Sequence, residues 1–202
     1  MNWLLVRIQS YLLGASRGES KISPELVKEF QELCGKALDR QFNQKRDDWR
    51  LRMSEVGKPL CQQKLKKKGV KQEYEYNAVM RFIIGDLIEA LAIVIMKAAG
   101  IKIQESQKKV SMKIANIDLQ GTYDVKIEDK IYDIKTASPY AFDSKFGEWG
   151  GYNRVKEDDM FGYVAQGYSY SYAGKSKFGG WIAINKSTGE WTVCETPLAD
   201  EQ

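Results

Sequence analysis

The chain's 202 residues are enough for a well-buried α/β domain with a helical appendage, and 43% hydrophobic against 29% charged residues reads as globular and soluble. A formal charge of +4 is too small to name a partner, but the absence of histidine excludes Ser/His and Cys/His nucleophile systems, His-ligated zinc and histidine-based nucleases. Cys34, Cys61 and Cys194, without a CxxC spacing, supply neither a disulfide framework nor a zinc or iron–sulfur ligand set, and suit a reducing, cytoplasmic setting.

Residues 1–14 predict a short amphipathic helix closed by Gly14 and the Ser16-Arg17-Gly18 turn. Arg7, Gln9 and Ser10 interrupt its apolar run, so it is read as neither a signal peptide nor a membrane span. Ser23-Pro24-Glu25 is a helix start: a serine cap, proline in the first turn, then an acid. Leu26, Phe30, Leu33, Ala37 and Leu38 carry that helix to about Phe42. From Asn43 to Lys71 the composition turns polar, with Gly57-Lys58-Pro59 as a breaker and a run of Lys64, Lys66, Lys67, Lys68 and Lys71. The sequence therefore suggests an exposed connection, ending an α-helical N-terminal region (1–72) before an α/β core (73–202).

Tyr74 to Ala99 predicts a long helix stopped by Gly100; Asp86, Glu89 and Lys97 make it a buried helix, not a lipid-facing one. Ile101–Ile114, Ile117–Ile127 and Lys130–Ala137 read as strands, the last two joined by a Glu128-Asp129 turn. A Gly-containing loop follows, then a helix over Glu157–Tyr172, and Gly179–Asn185 with Glu190–Glu195 as a closing hairpin. The order implies an α/β fold, a mixed central sheet flanked by helices, with an α-helical N-terminal extension.

Within that frame, side-chain alternation sets Asp133 and Lys135 on one face of their strand, with Ile134 on the other. A two-residue turn at Glu128-Asp129 pairs Ile127 with Lys130 and sets Asp124 level with Asp133. Glu89 sits one turn from Asp86 and Gly85, the glycine permitting close approach of helix to sheet. Three carboxylates and a lysine delivered in this way can hold Mg²⁺ or Mn²⁺ beside a phosphodiester. Each piece alone has a blander meaning: a solvated strand face, a surface acid, one stripe of a helix.

The series Gly85…Glu89, Gly121-Thr122-Tyr123-Asp124, Asp133-Ile134-Lys135 and Gln166…Tyr170 resembles the PD-(D/E)XK nuclease superfamily, in particular its RecB-type branch with a Gln-x-x-x-Tyr helix. The resemblance covers about residues 74–195 and implies a restriction-endonuclease-like core and a Mg²⁺- or Mn²⁺-dependent DNA nuclease. It implies Glu89, Asp124 and Asp133 as metal ligands, the Ile134 carbonyl as a further one, Lys135 as the catalytic lysine, and Gln166 and Tyr170 as positioning residues. Tyr123 stands in place of the motif's proline, and Asp133 in place of the more usual glutamate. No phosphate loop or helicase motif accompanies it, so a stand-alone nuclease like the phage recombination exonucleases is implied, working in a bacterial or phage-infected cell.

For substrate contacts, Tyr140, Lys145, Trp149, Tyr152, Arg154 and Lys156, with Phe142 and Phe146, interleave aromatics and cations. That pattern suits a frayed or single-stranded DNA end, or a loop whose aromatics pack on the core. Tyr163, Tyr168, Tyr170 and Tyr172 would line part of the same side. The lysine run and Lys108, Lys109 and Lys113 are phosphate contacts or solvated charges. The sequence leaves open an exonuclease, an endonuclease of the same fold, and an inactive nuclease-like DNA-binding protein; a homo-oligomer is compatible with all three, and no membrane partner is expected.

Overall fold

The computed structural model describes residues 2–43, 50–70 and 73–197. In chain order the helices are α1 (Trp3–Ser16), α2 (Pro24–Phe42), α3 (Leu60–Lys67), α4 (Tyr76–Ala98), α5 (Pro139–Ala141), α6 (Tyr152–Glu157) and α7 (Tyr163–Ala173). The strands are β1 (Ile103–Ile114), β2 (Ile117–Ile127), β3 (Lys130–Ala137), β4 (Lys177–Asn185) and β5 (Trp191–Glu195). A 3₁₀ turn spans Met53–Glu55 and a π-helical turn Phe142–Phe146. The chain is thus α/β, with a five-stranded mixed sheet and a helical N-terminal part. Among the described residues no helix is long and apolar enough to cross a membrane.

Two compact units divide the chain, Met1–Lys45 with Glu73–Ile103, and Arg46–Gln72 with Gln104–Gln202. The boundary read at 72/73 falls elsewhere in space, because α4 packs along α2 and groups with the N-terminal helices. In this first unit Asn2 Oδ1 accepts from Leu4 N at 2.9 Å and Ser23 Oγ from Leu26 N at 3.4 Å, satisfying helix-end donors. Gly100, at φ 74, ends α4 with Ile101 N donating to Met96 O at 3.0 Å. Asp86 pairs with Arg40 at 2.7 Å and accepts from Gln41 Nε2 at 2.7 Å, fixing α2 against α4. A Cβ added at Gly85 meets no atom within 4 Å.

The second unit carries the sheet in the order β1-β2-β3-β4-β5. Glu128 (φ 49) and Asp129 (φ 58) make the two-residue turn with two positive φ angles that suits a twisted hairpin. It sets the expected register, Ile127↔Lys130, then Lys126↔Ile131 and Val125↔Tyr132. β3 runs parallel to β4, the connection through 138–176 supplying the crossover that parallel strands need, and β4 is antiparallel to β5.

Three expectations are corrected in this unit. The segment after residue 50 is not an exposed connection: Met53 is fully buried with Leu119, Tyr123, Ile131 and Tyr170, flanked by Leu51 and Val56. Its three apolar residues are too sparse to register as a periodic element, yet each lands in the same cluster. Lys71 of the lysine run lies outside the described residues. The stretch after β3 is likewise structured, with Phe142, Phe146 and Val155 buried against Phe178, Trp181 and Ala183. The helix expected from Glu157 begins at Tyr163, because Asp159 caps it, accepting from Tyr163 N at 2.6 Å and Val164 N at 3.0 Å.

Candidate active site

Alternation along β3 turns Ile131, Asp133 and Lys135 toward α7: Ile131 packs with Tyr170, and the Lys135 ammonium lies 4.7 Å from the centre of the Tyr163 ring. Asp133 is only 3% exposed, and a carboxylate so buried needs a counter-charge. Lys135 Nζ supplies it, 2.6 Å from Oδ2. The two side chains form a buried charge pair. Burial pushes the Lys135 pKa down, but Asp133, then Tyr163 and Asp124, outweigh it and hold the ammonium above its ordinary value.

Asp124 enters from β2 where the hairpin ladder ends. Continued at the same register, the N–H of Ile134 would bond to the β2 backbone near Tyr123. Instead Asp124 Oδ2 accepts from it at 2.6 Å. One carboxylate oxygen therefore takes the place of a ladder bond and fixes Asp124 beside the backbone that joins Asp133 to Lys135.

The helix contributes Gln166 and Tyr170, both buried, with Gln166 Nε2 donating to Tyr170 Oη at 3.2 Å. Tyr163, Gln166 and Tyr170 recur at helical spacing on the side facing this centre, whereas Tyr172 is exposed and Tyr168 packs on Phe178. Burial, opposed by the Gln166 hydrogen bond and reinforced by the fields of Asp133 and Asp124, pushes the Tyr170 phenol up to about 12. Gly121 of the Gly-Thr-Tyr-Asp run is small for a reason. A Cβ there would lie 2.5 Å from Tyr170 Cε1 and 2.9 Å from Met53 Cβ.

The second unit thus brings Asp124, Asp133, Ile134, Lys135, Gln166 and Tyr170 together, while Glu89 lies half-buried on α4 in the first unit. Among the described residues no group of three or more Cys, Asp or Glu side chains is arranged to hold a metal ion. Asp124 and Asp133 are the donors that fit one: hard carboxylate oxygens delivered from adjacent strands.

The aromatic and basic segment divides. Tyr140 and Trp149 are exposed at 82% and 77%, and Arg154 and Lys156 are exposed too. Lys145 is held by Asp158, with an ion pair of 3.0 Å and a bond to its carbonyl of 2.9 Å. Tyr152 stacks on Trp181 at 6.3 Å and its hydroxyl meets that of Tyr168, so it belongs to the core. The residue that sequence reasoning passed over is Lys58, treated as part of a chain breaker. Its field reaches Lys135, and a lysine between glycine and proline gave no sign of that.

No protein-family model matches the chain, and no curated protein does. A solved structure, that of SSO0001, superposes with a TM-score of 0.47 at 12% identity, covering 85% of this chain and 79% of that one. That likeness adds nothing to the argument from the residues.

Proposed function

We propose that this protein is a metal-dependent deoxyribonuclease of PD-(D/E)XK type, working on DNA ends. The observation that carries the reading is the buried Asp133–Lys135 pair, 2.6 Å apart on β3, with Asp124 locked to the Ile134 backbone from β2. A purely structural strand gains little from burying a charge pair of this kind, since an apolar pair of the same volume serves stability as well or better. Asp124 and Asp133 would hold Mg²⁺ or Mn²⁺, with the Ile134 carbonyl as a further ligand that the motif suggests. When bound, the ion would supply Lewis acidity toward a phosphoryl oxygen.

The chain's own groups do the rest. Lys135 offers a fixed positive charge for the charge that builds on the phosphate oxygens, and the Tyr163 ring under it restricts where the ammonium can go. Gln166 and Tyr170 back the carboxylates from α7, the hydroxyl kept protonated by burial first and by the acids beside it. Tyr140 and Trp149 present exposed faces on which unpaired bases can stack.

A second reading is an inactive DNA-binding relative, favoured by Lys135 already occupying Asp133 Oδ2. Digestion of matched linear and covalently closed circular DNA, with Mg²⁺ or EDTA, separates the readings. Mg²⁺-dependent loss of the linear form alone, abolished in Lys135→Ala, is the expected result. Cutting of circles would make the protein an endonuclease, and binding without cutting would establish the inactive relative.

A further inference from the structure

The turn Gly57-Lys58-Pro59 lies directly on the first turn of α7. A Cβ on Gly162 would fall 2.5 Å from Val56 O and 3.0 Å from Lys58 N, and one on Gly57 would fall 2.9 Å from Gly162 Cα and 2.8 Å from Ala165 Cβ. Both glycines have positive φ, 88° at Gly57 and 73° at Gly162, so turn and helix start meet backbone to backbone where no side chain fits. The residue after Gly162 is Tyr163, whose ring carries Lys135. Lys58 is pinned at both ends of its own peptide units: its N–H donates to Glu55 O at 3.2 Å and its carbonyl accepts from Gln63 Nε2 at 2.9 Å.

The acids nearby are engaged elsewhere: Asp159 caps α7 and Asp124 holds the Ile134 backbone. Glu55, the acid of this turn, is paired with Lys66 at 2.5 Å, and Asp133 with Lys135 at 2.6 Å. Among the described residues no carboxylate lies within ion-pair distance of Lys58, which is half-buried. Burial, then Lys66, push its pKa below the ordinary lysine value; Glu55 pushes back and Lys135 adds to the fall. A partly dehydrated cation with no direct counter-ion is unfavourable until an anion joins it.

We infer that Lys58 binds a backbone phosphate of the DNA beside the Asp133–Lys135 pair, making it a substrate-binding residue delivered by the segment before α3. The inference rests on the nuclease reading for the identity of the anion. Lys58 holds a phosphodiester neighbouring the one to be cut, so the strand enters with its backbone already fixed when it meets Lys135.

The test is fluorescence anisotropy of a labelled single-stranded oligonucleotide in EDTA, across a salt series, for wild type, Lys58→Gln, Lys58→Arg and the exposed Lys186→Gln. Lys58→Gln is expected to weaken binding about tenfold and to lower the slope of log K against log salt by about 1. Lys58→Arg is expected to keep both, and Lys186→Gln to change affinity less than about twofold. Because the substitution removes a half-buried charge that has no direct counter-ion, the thermal midpoint of Lys58→Gln is expected to equal or exceed that of wild type. Unchanged affinity and slope in Lys58→Gln would overturn the inference, as would a lowered midpoint that accounts for the lost binding. If wild type cleaves DNA while Lys58→Gln binds normally, the inference fails and the nuclease reading stands. If wild type binds through Lys58 but never cleaves with Mg²⁺ or Mn²⁺, the phosphate contact stands and the nuclease reading fails.

Discussion

At the scale of single residues, the account turns on how Lys135 and Asp133 tolerate burial. Lys135→Ala leaves the Asp133 carboxylate buried without its counter-charge, which is expected to cost about 3 kcal/mol in urea unfolding. Asp133→Asn combined with Lys135→Ala is expected to recover part of that loss, a result that simple loss of packing would not give. The pH dependence has a definite sign. A lysine whose folded pKa is raised contributes stability that is fully present below its ordinary 10.5 and is lost only as pH rises through the folded value. In EDTA, thermal midpoints of wild type and Lys135→Ala should therefore run parallel through neutral pH and converge only above 10.5. Tyr170→Phe deprives Gln166 Nε2 of its acceptor and is expected to destabilise by about 1–2 kcal/mol.

At the scale of elements, much was legible because the relevant periodicities are local. The helix over Pro24–Phe42 follows from its cap, its proline and an apolar stripe, and the β2–β3 register follows from a two-residue turn that leaves only one pairing. That same register brings Asp124 level with Asp133, so the apposition of these two acids could be read from spacing. The hydrogen bond from Ile134 N to Asp124 could not, because it arises where the ladder stops. Nor could the burial of Met53, whose partners Leu119, Tyr123 and Tyr170 lie far along the chain. Two substitutions test that packing. Met53→Ala should lose about 3 kcal/mol to an unfilled cavity. Gly121→Ala, driven against Tyr170 and Met53, should lose about 2 kcal/mol.

At the scale of the whole molecule, the charges that are conspicuous in the sequence are not the buried ones: the run from Lys64 to Lys68 is mostly exposed, whereas Lys58 is half-buried. The aromatic segment shows the same division between what is conspicuous and what is available. Trp149→Ala and Tyr140→Ala are expected to weaken single-strand binding by about 1–3 kcal/mol per stacked base without lowering the melting temperature. Tyr152→Ala, which removes a ring stacked on Trp181, is expected to lower the melting temperature. The most direct measurement of the central claim is the cleavage rate of a labelled linear duplex in Mg²⁺, for wild type, Asp133→Asn and Lys135→Ala at matched folded fractions. The account predicts wild-type cleavage that EDTA abolishes, and a loss of at least about 100-fold in either variant. Inert wild type in both Mg²⁺ and Mn²⁺, or variants cutting at the wild-type rate, would contradict it.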